Sequence, residues 1–155
     1  MIIINILAFL VNLAIPYVCA FLGNFLGNFA SSFEEIAKPQ FTPPGIVFPI
    51  VWFILFTLMG ISSYLIYKSN SKDKKSALII YGIQLVLNAL WSLFFFNLNW
   101  YLFSFIWILL MIFFVALMIY KFYKINKLAS YLQIPYLLWL IFASVLNFSI
   151  YLLNK

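Results

Sequence analysis

Long uncharged apolar runs alternate with short lysine-bearing breaks along this chain. Met1–Phe33, Pro39–Tyr67, Ser76–Tyr120 and Leu128–Asn154 contain no Asp, Glu, Lys, Arg or His. A helix crosses a bilayer core of roughly 30 Å with about 20 apolar residues. Dividing the runs at that length gives five spans: Ile2–Leu22, Gly45–Tyr67, Ala77–Phe96, Tyr101–Phe122 and Tyr131–Leu153. Ser76–Tyr120 is too long for one crossing, and Asn97-Leu98-Asn99-Trp100 in its middle reads as a tight hairpin. Runs such as Ile108–Val115 are apolar on every side and lack the polar–apolar alternation of a membrane β-strand. The predicted fold class is an all-α membrane protein, a bundle of five transmembrane helices forming one domain over residues 1–155, with a partly ordered first loop.

Composition agrees with this pattern: 67% of residues are apolar and 8% are charged. A soluble fold of this size would need more charge on its surface, so the solvent around most of the chain must be lipid. The first run lacks a basic leading region, and Tyr17-Val18-Cys19-Ala20 is a poor cleavage site, so it reads as a span and not as a secretory signal. The lone Cys19 excludes an intramolecular disulfide and a cysteine metal cluster, and reads as a small packing residue.

The net charge of +6 matters through its distribution. Five spans put the termini on opposite sides. Lys68, Lys72, Lys74, Lys75, Lys121, Lys124 and Lys127 fall on the side of the N-terminus, against Lys38 and Lys155 on the other. This asymmetry predicts a cytoplasmic N-terminus and an outward C-terminus. The lysines form short membrane-flanking clusters and not a continuous basic face, which argues against nucleic acid as a partner. The absence of Arg beside abundant Ile, Asn, Phe and Lys points to a bacterial cell membrane.

Two features organise the first third of the chain. Gly23 and Gly27 form a small-xxx-small pair, suited equally to packing within one subunit and to dimerisation. The only long connection runs from about Asn28 to Pro44. Ser31 and Ser32 before Glu34-Glu35 read as a helix start, and Pro39, Pro43, Pro44 and Pro49 then forbid a continuous helix. With Phe33 and Phe41 this segment is predicted to be an ordered lid over one mouth of the bundle.

What is missing constrains the chemistry. The uncharged runs hold no Asp, Glu, Lys, Arg or His, which disfavours proton relays and ion-coupled carriers. Without histidine there is no Ser-His or Cys-His nucleophilic site and no His-carboxylate metal site, and no resident cofactor is indicated. The remaining candidates are neutral and aromatic. On the third span Gln84, Asn88, Trp91, Ser92 and Phe95 share one helical face. On the fifth, Tyr136, Trp139, Ala143, Asn147 and Tyr151 recur at helical spacing, and Trp52 and Phe56 are one turn apart on the second. An amide in lipid is unfavourable unless hydrogen-bonded, so these faces should point inward and line an apolar pocket with a few polar handles. For Gln84, Asn88 and Asn147, interhelical packing is an equally good reading. Trp100 reads as an interfacial anchor, and Trp107, on a helix almost without polar residues, as a lipid or subunit contact. A loose cholesterol pattern matches at three span ends, which leaves it little discriminating power.

Three of the five spans carry motifs that resemble one family. Lys38-Pro39-x-Phe41-x-Pro43-Pro44 with Val47-Phe48-Pro49-x-Val51-Trp52, then Gln84-Leu85-x-Leu87-Asn88-x-x-Trp91-Ser92, then Pro135-Tyr136-Leu137-x-Trp139-x-x-Phe142-Ala143-x-x-Leu146-Asn147 are similar to the second, third and fifth helices of the translocator protein family. Its bacterial members are called tryptophan-rich sensory proteins and its animal members peripheral benzodiazepine receptors. The resemblance implies a five-helix bundle, often a homodimer, that binds porphyrins, sterols and benzodiazepine- or isoquinoline-type ligands. It implies that Trp52, Asn88, Trp91, Ser92, Trp139 and Ala143 line the pocket, and that Trp52 and Trp139 are catalytic residues where a member breaks porphyrin down in light. The chain departs from the pattern at Ser32 and Phe33, where many members carry a Trp-Tyr pair. The leading expectation is a membrane binding protein for flat hydrophobic molecules, acting as sensor, carrier or scavenger. The alternatives are a light-dependent porphyrin-degrading enzyme and a membrane adaptor without a small ligand.

Overall fold

The structure is a computed structural model that describes residues 2–28 and 33–155, with side chains described from Asn5 onward. Five of its helices are long and apolar enough to cross a membrane, and no strand occurs among the described residues. The elements are α1 (Ile2–Gly27), α2 (Val47–Lys68), α3 (Lys74–Ser92), α4 (Tyr101–Ile125), the short α5 (Lys127–Tyr131) and α6 (Ile134–Leu153). The fifth crossing combines α5 and α6. Asn126 starts it by accepting from the Ala129 N–H at 3.0 Å, and Pro135 enters the first turn of α6, where a missing N–H costs nothing. This is an integral membrane protein.

The predicted hairpin between the third and fourth spans has a specific geometry. The α-helix of α3 widens into a π-turn over Leu93–Asn97, closed by Leu98 N–H donating to Leu93 O at 3.0 Å. Both Phe95 and Phe96 on this turn are buried. Asn99 then takes a left-handed conformation (φ 55°) and the chain reverses into α4.

Around the bundle the helices follow the order α2, α1, α3, α4, α6. The first helix runs past the predicted Leu22 to Gly27 because its last turns lie against α3. A Cβ built on Gly23 would lie 3.1 Å from Ala89 Cα, and one on Gly27 would lie 2.8 Å from both Ser92 Cβ and Ser92 O. The small-residue pair is therefore used inside the chain, where it lets two backbones approach, and is covered from any second copy. At the α1–α2 crossing Gly60 meets Leu13, and Asn12 Oδ1 accepts from Ser63 Oγ at 3.0 Å. Pro16 leaves the Asn12 carbonyl without its helical donor, just where α2 passes.

Trp107 differs from its predicted lipid or subunit contact. Its indole N–H donates to Leu87 O at 2.8 Å and its ring packs against Phe94, tying α4 to α3. A helix poor in polar side chains can still dock through one indole, because the acceptor is a neighbour's backbone. Trp100 is exposed at the head of α4, as an interfacial anchor would be.

Candidate functional site

The lid over the bundle is held from beneath and from its side. Residues 33–35 form a single helical turn, and the predicted helix start at Ser31 and Ser32 lies outside the described residues. Ile36 is buried among Phe95, Phe96, Leu146 and Ile150. Asn154 clamps the next residue with both halves of its amide: Ala37 N–H donates to Oδ1 at 3.2 Å, and Nδ2 donates to Ala37 O at 2.9 Å. Lys38 reaches back to Phe33 O, its ammonium 4.5 Å from the Phe33 ring centre. The prolines then carry the chain to the start of α2, where Phe48 faces Trp139.

Under the lid lies a cavity of about 430 Å³, within the roughly 300–1,000 Å³ range of small-molecule sites. Of the twelve residues on the predicted inward faces, Trp52, Phe56, Asn88, Trp91, Ser92, Phe95, Trp139, Ala143 and Asn147 line it together. They come from α2, α3 with its π-turn, and α6. The helical spacing brings them to one wall each: Trp52 stacks on Phe56 at 5.1 Å, and Trp91 stacks on Phe95 at 4.9 Å. The α2 and α6 walls meet where the Trp52 and Trp139 rings stand 6.5 Å apart at 85°.

Gln84, Tyr136 and Tyr151 are not on the cavity wall. Tyr136 is buried beneath Trp52, and its hydroxyl pairs with Asn88 Nδ2 at 2.9 Å, forming part of the floor. Gln84 lies one turn deeper on α3, fully buried, and neither of its amide atoms has a hydrogen-bond partner among the described residues. Gln133 is in the same condition one turn below Tyr136.

The polar groups of the cavity fall into two kinds. Asn147 is fully engaged by protein: Oδ1 accepts from Trp91 Nε1 at 3.1 Å and Nδ2 donates to Tyr101 O at 2.8 Å. The Trp52 and Trp139 indole N–H groups donate to no protein acceptor among the described residues, and Asn88 keeps one amide atom unused. The cavity thus offers aromatic faces, two indole donors, the amides of Asn24 and Asn88 and the Ser92 hydroxyl, with no charged group on its wall. Among the described residues no group of three metal-ligating side chains occurs. Such a wall can stack a flat apolar molecule and donate to an acceptor on it; it has no general acid or base.

Phe48 and Phe142 belong to the site but were absent from the sequence candidates. Phe48 stands four residues before Trp52 and Phe142 three after Trp139, so helical spacing alone would have found them.

A family model described as the TspO/MBR family matches residues 12–153. Among curated relatives, the tryptophan-rich protein TspO of Archaeoglobus fulgidus is 37% identical over 122 residues, covering 79% of each chain. The tryptophan-rich protein TspO of Chlorobaculum tepidum is 37% identical over 124 residues, covering 79% of this chain and 78% of its own. The translocator protein of Sus scrofa is 30% identical over 126 residues, covering 79% and 75% respectively.

Proposed function

The chain belongs to the TspO/MBR family, and from that premise we propose that it binds flat, hydrophobic, acceptor-bearing molecules, porphyrins foremost, within the bundle. The observation that carries this reading is the convergence of three aromatic walls with two unengaged indole donors on one lidded cavity. Sterols and isoquinoline-type ligands present similar apolar faces. Whether the bound molecule is carried, sensed or scavenged, the same cavity serves. The orientation that goes with this reading has the lysine-rich end of the bundle cytoplasmic and the lid outward in a bacterial cell membrane. A reporter fused after Lys155 should accordingly be active outside the cytoplasm, and activity inside it would reverse the orientation.

Purified protein titrated with porphyrins, haem, sterols and isoquinolines should show saturable tryptophan quenching by the flat aromatic members of the panel. Trp139→Phe keeps a ring but removes a donor. The expected loss is about 0.5–1.5 kcal/mol, or roughly two- to twelvefold in Kd. Quenching unchanged by that substitution would remove Trp139 from the site.

A second reading is favoured by the Trp52–Trp139 pair itself. Two electron-rich rings 6.5 Å apart against a bound porphyrin are placed to be oxidised by its excited state. This predicts loss of the porphyrin absorption band in light with oxygen and its persistence in darkness. A band that survives illumination excludes the enzyme and leaves the binding protein.

A further inference from the structure

The ring of helices does not close. The chain packs backbone to backbone from α2 to α1, α3, α4 and α6, yet α6 and α2, its two ends, stay apart. Near the lysine-rich end the gap is bridged, because Ser62 Oγ donates to Ala129 O of α5 at 2.6 Å. Toward the lid, aromatic rings bridge it: Trp52 to Trp139, and Phe48 to Trp139 at 5.9 Å. On the outer side of this seam a second apolar groove is lined by Val51, Ile54, Leu55, Pro135 and Leu138, and its back wall is Trp139 and Phe142. Those two rings also face the inner cavity. One layer of side chains separates the groove from the cavity.

We propose that this groove is a lateral admission site, through which a flat hydrophobic ligand passes between the bilayer and the cavity past Trp139 and Phe142. The inference rests on the binding role proposed above and adds the route. Three observations support it. The groove opens on the lipid-facing surface, where Ile54 and Leu138 are more than half exposed, and a molecule of the proposed class partitions there before it meets the protein. The described part of the lid, by contrast, is held by the Asn154 clamp, by buried Ile36 and by Lys38, so opening it breaks several contacts together. At the seam the barrier lined by Trp139 and Phe142 is made of side chains, and side-chain rotamer changes are faster than loop motions. Phe41 packs on Phe142 at 6.5 Å, so lid and seam share an edge.

The test closes the groove without touching the cavity. In a Cys19→Ser background, Ile54→Cys and Leu138→Cys are introduced and bridged by a bifunctional thiol reagent. Neither residue lines the cavity. Protein in liposomes is then mixed with protoporphyrin IX, and association and dissociation are followed by fluorescence. Bridging should slow both rates tenfold or more while Kd stays constant, since a blocked path changes barriers and not end states. The unbridged double variant should behave as the parent. Rates unaffected by bridging would overturn the lateral route and leave the binding role standing. A changed Kd with an unchanged association rate would make the groove part of the binding site and also overturn the route. Absence of saturable binding by the unbridged parent would remove the binding role, and the route with it.

Discussion

Gly60→Ala is expected to destabilise the bundle by about 1–3 kcal/mol, as overpacking of a tight core does, while Gly82→Ala should leave it unchanged or gain up to about 1 kcal/mol from helix propensity. Both glycines lie inside long helices, and the substitution is the same single methyl. The difference is what the methyl meets. At Gly60 it would lie 2.7 Å from Leu13 Cα and 3.1 Å from Asn12 O, which are backbone atoms that cannot rotate away. At Gly82 it meets nothing within 4 Å. Parting α1 from α2 also strains the bonds across the crossing, Ser63 to Asn12 at 3.0 Å and Tyr17 to Thr57 at 2.5 Å. Each such interhelical bond contributes roughly 0.6 kcal/mol or more within a membrane. The lone Cys19 provides the readout, since it is half-buried on α1 and its thiol becomes reactive when that helix detaches. Thermal scans with a thiol-reactive dye should show Gly60→Ala unfolding earlier and Gly82→Ala no earlier than the parent. Equal behaviour of the two variants would mean that the α1–α2 crossing is looser than its geometry states.

The five spans were legible because charge is excluded from lipid: each uncharged run had to be helix, and each lysine cluster had to end one. The inward faces were legible for a related reason, since amides and indoles at a spacing of three or four residues cannot all face acyl chains. Periodicity gives the face but not the depth. That is why Gln84, on the same stripe as Asn88 and Trp91, lies below the floor and not on the wall. The lid clamp was not legible at all, because Ala37 and Asn154 are 117 residues apart and neither is distinctive alone. Gly60 escaped notice for a similar reason: the positions four residues away on its own helix are Phe56 and Tyr64, so it makes no small-xxx-small pair, and its need for glycine is set by Leu13 on another. The order of helices around the ring, and with it the open seam between α2 and α6, follows from which surfaces are small enough to approach. No local pattern encodes that.

Asn147→Leu should weaken porphyrin binding by about tenfold and also lower stability by about 1–3 kcal/mol, although Asn147 offers a ligand no free polar atom. Its carbonyl holds the Trp91 N–H and its amino group holds Tyr101 O, so the residue joins α3, the start of α4 and α6 at one point. Leucine fills a similar volume but strands the Trp91 donor in a buried apolar setting. That donor then seeks another acceptor, and the indole wall, with Phe95 stacked on it, turns with it. A direct ligand contact would behave differently: affinity would fall while thermal stability stayed constant. A double-variant cycle separates the two roles. Trp91→Phe removes the donor that Asn147→Leu leaves unpaired, and replacing both partners of a buried bond with apolar groups is nearly neutral. The double variant should therefore recover at least half of the stability lost by Asn147→Leu alone, measured by the same thermal scan. Strict additivity of the two losses would show that Asn147 acts through some contact other than Trp91, and its place in the site would have to be redrawn.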